Sequence, residues 1–227
     1  MSQNILKNKS SQIDLSVYIK SFLLLMKPRV MSLVLFTAMV GLLVAPVTIS
    51  FTTASLSLLA VAIGSGAAGA LNMWYESDVD ALMSRTCLRP IPTGKIKREQ
   101  ALLFGIILSF ISISMLYLSS NLISAILLAA TISFYFFIYT IWLKRKTAQN
   151  IVIGGAAGAL PPVIGWAIAM NNISIIGLAV FLLNLLYSFL KKRKAEQNPW
   201  GEGATTLEWT VTSPPPFHTF EELPKVK

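Results

Sequence analysis

Charged residues occur in blocks that alternate with long uncharged stretches. Residues 30–75, 100–143 and 147–190 contain no Asp, Glu, Lys or Arg. Each stretch is about twice the ~20 apolar residues that one helix needs to cross the hydrocarbon core of a bilayer. Polar or helix-breaking residues lie near the middle of each stretch, at residues 45–48, 119–121 and 170–172. The pattern therefore predicts three helical hairpins.

Three hairpins give about six spans, so the predicted fold class is all-α, a polytopic transmembrane helical bundle. The expected spans are residues 22–45, 52–75, 101–119, 122–143, 149–170 and 173–190. An even number of spans places both termini on one side of the membrane. All 19 Lys and Arg residues then lie on that side. The positive-inside bias identifies it as the cytoplasm, or as the matrix in a mitochondrion.

Composition agrees with a membrane protein, because 54% of residues are hydrophobic and 13% are charged, against roughly 25% charged residues in soluble domains. The net charge of +9 comes from cations that flank the predicted spans. Attraction to anionic lipid headgroups explains such cations, and we expect no nucleic-acid partner. The single cysteine, Cys87, excludes an internal disulfide and a cysteine metal cluster.

An acidic segment continues the second predicted span at the cytoplasmic face. It contains Asn72, Glu76, Asp78 and Asp80. At 100° per residue, all but Asp78 fall within about 80° on one helical face, and Asp78 joins them only if the helix unwinds. Carboxylates near lipid need a partner, and oxygen-only ligands suit Mg²⁺, which is often shared with substrate phosphates. The segment therefore predicts a site for a metal-bound diphosphate.

A basic loop, residues 84–95, follows the acidic segment. Its prolines and glycine predict irregular structure that brings Arg85, Arg89 and Lys95 close to the carboxylates. Acidic and basic groups together at a bilayer face suit a metal-bound diphosphate. The alternative is a solvated acidic helix end that balances these cations.

The two segments together read N-x-x-x-E-x-D-x-D-A-x-M-x-R-T-x-x-R-P-x-P-x-G-x-I, which resembles the first acidic motif of the UbiA-type intramembrane prenyltransferases. Within that family, residues 139–162 resemble the protohaem IX farnesyltransferases, or haem O synthases. The segment Lys27-Pro28-Arg29-Val30 fits the same family. The resemblance extends over roughly residues 22–169.

This resemblance implies transfer of a farnesyl group from farnesyl diphosphate to a vinyl group of protohaem IX, with Mg²⁺ as cofactor. It implies a metal site formed by Asn72, Glu76, Asp78 and Asp80, and diphosphate contacts from Arg85, Arg89, Lys144 and Arg145. The implied catalytic residues are Asn72, Glu76, Asp80 and Tyr139. The ring of Tyr139 would shield an allylic cation. The alternative interpretation of Lys144 and Arg145 is that they are cations at a helix C-terminus near lipid headgroups, where positive residues are common.

The C-terminal part departs from the family. Residues 173–227 resemble the last span and tail of cytochrome c oxidase subunit I, and the two resemblances meet near residues 171–174. We therefore expect a polar N-terminal segment (1–21), a truncated prenyltransferase-like membrane domain (22–172), an oxidase-like span (173–190) and an extended cytoplasmic tail (191–227). The resemblance implies further spans and a second functional loop in complete relatives, so weak or absent turnover is expected.

Two functional alternatives therefore remain. One is a catalytically inactive fusion or an oxidase-associated membrane fragment. The other, a cation transporter, is disfavoured because the carboxylates lie at the membrane face and not at its midplane. Because haem O feeds the synthesis of oxidase haems, the two resemblances imply a functional link to cytochrome c oxidase. They also imply a bacterial inner membrane or a mitochondrial inner membrane as the location.

Small residues form two stripes within the predicted spans. Residues 64–69 match the dinucleotide-binding pattern G-x-G-x-x-G, but an uncharged span lacks the strand and helix context that nucleotide binding requires. We expect this stripe, and residues 154–158, to let helices approach closely. The only histidine, His218, lies in the polar tail and is not expected to bind haem.

Overall fold

A computed structural model describes residues 15–144, 146 and 150–173 of the chain. Helices and short connections account for all of these residues, and no strand occurs among them. In chain order the helices are α1 (Leu15–Leu25), α2 (Pro28–Val44), α3 (Phe51–Tyr75), α4 (Ser77–Leu82), α5 (Arg98–Ser119), α6 (Leu122–Ser133) and α7 (Asn150–Met170). Helix α6 continues as a π-helix over Phe134–Leu143. The all-α prediction is confirmed.

Within the described part of the chain, three helices are long and apolar enough to cross a membrane, and they match predicted spans within a few residues. They are α3, α5 and the continuous helix Leu122–Leu143. Helices α1 and α2 are long and apolar enough only when they are taken together as a bent pair. Helix α7 begins one residue after its predicted start and contains the shorter apolar stretch Ala157–Met170. Residues 174–227, which include nearly all of the predicted last span and the tail, lie outside the described residues.

The first predicted span, residues 22–45, is wrong as a single helix. The structure contains two helices there, bent by 49°, and the first begins at Leu15 within the segment predicted to be the polar N-terminus. Lys27 separates them in a left-handed conformation, with φ 53°. Pro28 is the first residue of α2, where its missing N–H and fixed φ favour the start of a new helix.

Helices α3 and α5 pack in opposite directions along a seam of small residues. The Ser57 and Ser119 hydroxyls lie 3.0 Å apart at the far end. In the middle, a Cβ at Gly64 would lie 3.2 Å from Ser112 Oγ. Near the C-terminal end of α3, Gly105 of α5 lies against the Leu71 side chain. Small side chains at such seams let membrane helices approach closely, so the predicted role of the first stripe is confirmed at Gly64.

Helices α2 and α7 also run in opposite directions and approach more closely still. A Cβ at Gly41 would overlap the Pro162 backbone, and a Cβ at Gly165 would overlap the Ala38 carbonyl oxygen. The glycines therefore set the distance between these two helices. Among the three glycines of the second stripe, Gly154 meets the expectation because it faces the Tyr139 ring, whereas a Cβ at Gly155 or Gly158 would meet nothing within 4 Å.

Side-chain caps define the two turns on the far side of the bundle. Ser50 accepts a hydrogen bond from Thr53 N at the start of α3, and Asn121 accepts one from Ser124 N at the start of α6. These contacts satisfy N–H groups that a helix leaves unpaired at its first turn. Asn121 Nδ2 also donates to the Ala167 carbonyl at 2.8 Å, which ties the α5–α6 turn to α7.

We predict that Gly165→Ala lowers the melting temperature of the purified protein in detergent, because the new methyl group meets the α2 backbone. Overpacking of this kind typically costs about 1–3 kcal/mol of folding free energy. Gly155→Ala is the matched control on the same helix and should leave the melting temperature unchanged or raise it slightly. Equal effects of the two substitutions would contradict the close packing of α2 and α7.

Candidate functional site

The α-helical geometry of α3 ends at Glu76, directly before α4. Glu76 has φ −91° and ψ 4°, and its carbonyl oxygen accepts a hydrogen bond from Asp80 N at 2.8 Å, which joins α3 to α4. Asn72, Glu76 and Asp80 are therefore buried along one side, exposed by only 1, 8 and 4%. The sequence prediction that these three residues share a face agrees with the structure.

Asn72 makes hydrogen bonds with two different parts of the chain. Its Oδ1 accepts from Lys27 Nζ at 2.5 Å, and its Nδ2 donates to Thr140 Oγ1 at 3.2 Å. Thr140 in turn donates to the Tyr135 carbonyl at 2.9 Å. The amide thus joins the break between α1 and α2 to the π-helix.

The π-helix supplies a second contact one turn further along. Lys144 forms an ion pair with Glu76, and its Nζ lies 2.6 Å from Glu76 Oε2. Asn72 contacts Thr140 and Glu76 contacts Lys144, and the two residues of each pair are 68 positions apart in sequence. Because the separation is the same, α3 and the π-helix run parallel and end on the same side. Lys144 N donates to the Tyr139 carbonyl, five residues earlier, which is the widened hydrogen bonding typical of a π-helix.

The basic loop supplies the third contact. Arg89 Nη1 lies 2.6 Å from Asp80 Oδ2, and Thr86 Oγ1 donates to the Asp80 carbonyl at 2.9 Å. The loop is a series of turns in which Ile96, 1% exposed, packs in a small core with Leu25. The irregular structure predicted for this loop is confirmed, and its fold holds Arg89 against α4.

An apolar cavity of about 200 Å³ lies between α2, α3, α6 with its π-helix, and α7. The end near Asn72, Glu76 and Asp80 is lined by Lys27, Gly69, Tyr135 and Gly154. Val34, Val61, Leu128 and Pro161 line the other end, and Val61 and Leu128 belong to the buried core beyond it. The separation between Gly69 and Val61 on α3 corresponds to a depth of about 12 Å at 1.5 Å per residue.

Tyr139, the aromatic side chain singled out by the sequence, packs beside this cavity. Its ring centroid lies 5.1 Å from that of Tyr135 and 5.9 Å from Lys144 Nζ. Tyr135 is the ring that lines the cavity. The structure thus adds Tyr135 as a candidate for shielding a cation.

The donor set fits Mg²⁺ held jointly with a phosphate ligand. Within the described ranges no three His, Cys, Asp or Glu side chains gather to hold a metal. The oxygen donors of the buried row are the Asn72 amide oxygen and the Glu76 and Asp80 carboxylates. Mg²⁺ commonly takes one or two carboxylates and completes its shell with water and phosphate oxygens. Glu76 and Asp80 would hold the ion and Asn72 would complete the protein side.

The structure brings together only part of the predicted site. Asp78 is exposed in α4, and Arg85 is exposed on the loop. Arg145 lies outside the described residues. Their assignments stay predictions.

Sequence reasoning missed Lys27 and Thr140 as site residues. Both lie in segments that the family resemblance included, Lys27-Pro28-Arg29-Val30 and residues 139–162. That inclusion was the available signal, but their contacts with Asn72 depend on tertiary structure.

Comparison with known proteins places this geometry in a family. The family model described as the UbiA prenyltransferase family matches residues 34–191. This match continues through the predicted junction near residues 171–174 and includes the predicted last span. Two solved structures of a UbiA homologue from Archaeoglobus fulgidus, one bound to DMAPP and Mg²⁺ and one to GPP and Mg²⁺, align with TM-scores of 0.63 and 0.62. At 21% identity, over 76% of this chain and 62% of that chain, they show the fold alone.

Curated relatives are more similar in sequence. The protoheme IX farnesyltransferase of Pelagibacter ubique (strain HTCC1062) is 61% identical over 184 residues, which are 81% of this chain and 60% of the relative. The protein of the same name from Bartonella bacilliformis is 52% identical over 83% of this chain and 60% of its own length. The chain thus spans about three-fifths of the length of these relatives.

We predict that Arg89→Gln destabilises the protein more than Asp80→Asn does. Loss of the guanidinium leaves a buried carboxylate without its cation, whereas Arg89 is 27% exposed and can turn toward water. The cost of Arg89→Gln should be about 2 kcal/mol, below the 3–5 kcal/mol typical of fully buried pairs.

Melting temperatures in detergent, with and without Mg²⁺, measure the difference. Mg²⁺ should restore part of the stability of Arg89→Gln and none of that of Asp80→Asn. A larger loss in Asp80→Asn would contradict the assigned geometry.

Proposed function

Because the chain belongs to the UbiA prenyltransferase family, we propose that it transfers a prenyl group from a prenyl diphosphate. The acceptor we propose is protohaem IX and the donor farnesyl diphosphate, so that the product is haem O. The names of the curated relatives support this choice. The observation that carries the proposal is the buried row of Asn72, Glu76 and Asp80, faced by three cations, at one end of an apolar cavity.

The polar row suits the diphosphate. Mg²⁺ held by Glu76 and Asp80, with Asn72, would neutralise negative charge on the phosphate oxygens when bound. Arg89 and Lys144 already lie against these carboxylates and would turn their N–H groups to phosphate oxygens beside them. Arg85 and Arg145 are proposed as further phosphate contacts. Donors fixed before the reaction stabilise charge on a leaving group most effectively in a water-poor site.

The apolar cavity suits the prenyl chain. Its lining is apolar except for a few side chains near the polar row. A chain that lay in it would present its first carbon to the diphosphate site, beside Tyr135 and Tyr139. The rings would face the allylic cation as the carbon–oxygen bond breaks, with cation–π attraction as the stabilising term.

The overall reaction balances as follows. The carbon–oxygen bond of farnesyl diphosphate breaks and diphosphate leaves with the electron pair. The farnesyl carbon forms a new bond to the terminal carbon of a protohaem vinyl group, and the cation passes to the inner carbon of that group. Water adds there and loses a proton, which gives the hydroxyethylfarnesyl side chain.

Several finer features belong to the same proposal. We propose Mg²⁺ as the cofactor of this chain, and a bacterial or mitochondrial inner membrane as its location with the active face toward the cytoplasm or matrix. The distribution of Lys and Arg supports that orientation. The functional link to cytochrome c oxidase, and the oxidase-like origin of residues 173–227, are supported by the sequence resemblance of the tail.

We predict that the purified protein, given protohaem, farnesyl diphosphate and Mg²⁺, forms haem O that mass spectrometry detects, and that EDTA abolishes the product. Glu76→Gln should lower the rate by at least about 100-fold, as is typical when one preorganised electrostatic group is lost. Glu99→Gln, an exposed glutamate at the same end of the bundle, is the matched control. Absence of haem O under conditions in which the Pelagibacter ubique relative makes it would refute the activity of this chain.

We predict that the end of the cavity lined by Val34 and Leu128 discriminates between prenyl chains of different length. Leu128→Ala deepens the cavity and should raise kcat/KM for geranylgeranyl diphosphate relative to farnesyl diphosphate. Val34→Phe fills it and should favour geranyl diphosphate. Ile126→Ala, on the outward face of α6 and 57% exposed, is the control. The measurement is the ratio of the kcat/KM values for two prenyl diphosphates, because this ratio is independent of the fraction of active protein. An unchanged ratio would show that the prenyl chain lies outside this cavity.

A further inference from the structure

Lys27 occupies a costly backbone position beside the site. A left-handed φ is uncommon for a residue other than glycine, and the residue before a proline is normally extended. Such strain persists only where the surrounding structure imposes it. Here α3 imposes it, because a Cβ at Gly66 would meet Met26 and a Cβ at Gly69 would lie 3.2 Å from the Leu25 carbonyl oxygen. The close approach turns the Lys27 side chain over Asn72.

Lys27 differs from the other two cations in its partner. Lys144 and Arg89 each face a carboxylate, whereas Nζ of Lys27 donates to the neutral amide oxygen of Asn72 at 2.5 Å. Three cationic side chains therefore face the buried row, which contains two carboxylates, those of Glu76 and Asp80. One positive charge is in excess, next to an apolar cavity, which favours the binding of an anion.

The charge balance identifies the class of anion. One divalent cation raises the excess from one positive charge to three, and a fully ionised prenyl diphosphate carries three negative charges. For the two carboxylates and the cations that contact the row, leaving Arg85 and Arg145 aside, neutrality with that pair requires the charge of Lys27. Lys27 also lines the cavity, so its ammonium group lies where the chain and the diphosphate would join.

We propose that Lys27 is a substrate-binding residue that exchanges partners, leaving Asn72 Oδ1 and binding the phosphate nearest the prenyl chain. The exchange has two consequences. The departing phosphate gains a cation at the carbon–oxygen bond that breaks, and the Asn72 oxygen becomes available to a metal ion. Without diphosphate, Lys27 competes with Mg²⁺ for Asn72. This inference rests on the proposed function for its substrate, but the competition with Mg²⁺ is independent of turnover.

The test is Lys27→Met, which keeps the apolar stem and removes the charge. Isothermal titration with Mg²⁺ alone should show tighter binding than in the unsubstituted protein. Titration with farnesyl diphosphate in Mg²⁺ should show affinity lower by about 10- to 100-fold, the loss expected for one hydrogen bond to a charged group. Affinity for uncharged farnesol should not change. Lys27→Arg should retain most of the affinity for farnesyl diphosphate, and Lys20→Met, exposed on α1, should behave as the unsubstituted protein.

The outcomes separate the two proposals. If Lys27→Met binds Mg²⁺ and farnesyl diphosphate as the unsubstituted protein does, the exchange is wrong while the proposed function stands. If it binds Mg²⁺, farnesyl diphosphate and farnesol all more weakly, Lys27 has only a structural role and the inference is overturned. If the unsubstituted protein binds no farnesyl diphosphate but Lys27→Met binds Mg²⁺ more tightly, the competition holds and the proposed function fails.

Discussion

Carboxylates at the edge of a bilayer are costly unless cations or hydrogen-bond donors compensate them, and the segment from the end of α3 into α4 carries two of them, Glu76 and Asp80, into buried positions. Compensation comes from three separate parts of the chain. Lys144 arrives from the π-helix, Arg89 from the loop after α4, and Lys27 binds the neighbouring amide of Asn72 from the break in the first span. Each of these irregular elements therefore has a position fixed by the same row of side chains.

Close helix packing makes this convergence possible. The polar row can meet cations from both sides only if α3 lies close to its neighbours, and small residues provide that closeness. Ser57, Gly64 and Gly105 shape the seam with α5, while Gly66 and Gly69 admit the turn that carries Lys27. Dispersion contacts and close backbone approach drive helix association in lipid. A motif that resembles a nucleotide-binding loop thus acts, in this membrane setting, as a packing surface beside the site.

The apolar cavity and the polar row form one continuous site because Lys27 and Tyr135 lie at their boundary. The π-helix contributes to both parts, with Tyr135 in the cavity and Thr140 on Asn72. Gly158, at which the second stripe does not pack against a neighbouring helix, lines the cavity and leaves space there. Glycine therefore has different consequences at different places, since at Gly41 and Gly165 it lets backbones touch and at Gly158 it keeps a space open.

The sequence by itself determined the all-α class, most helix bounds and the shared face of Asn72, Glu76 and Asp80, because hydrophobic length and helical periodicity are local properties. It also placed Arg89 near the carboxylates, since that contact spans nine residues. Tertiary structure alone decided that Lys27 and Thr140 meet Asn72, that the first span breaks, and that Tyr135 lines the cavity. Those contacts join residues 45 and 68 positions apart, or depend on which face of a helix its neighbours cover. No local pattern encodes them, because the energy that favours each one appears only when the helices pack together.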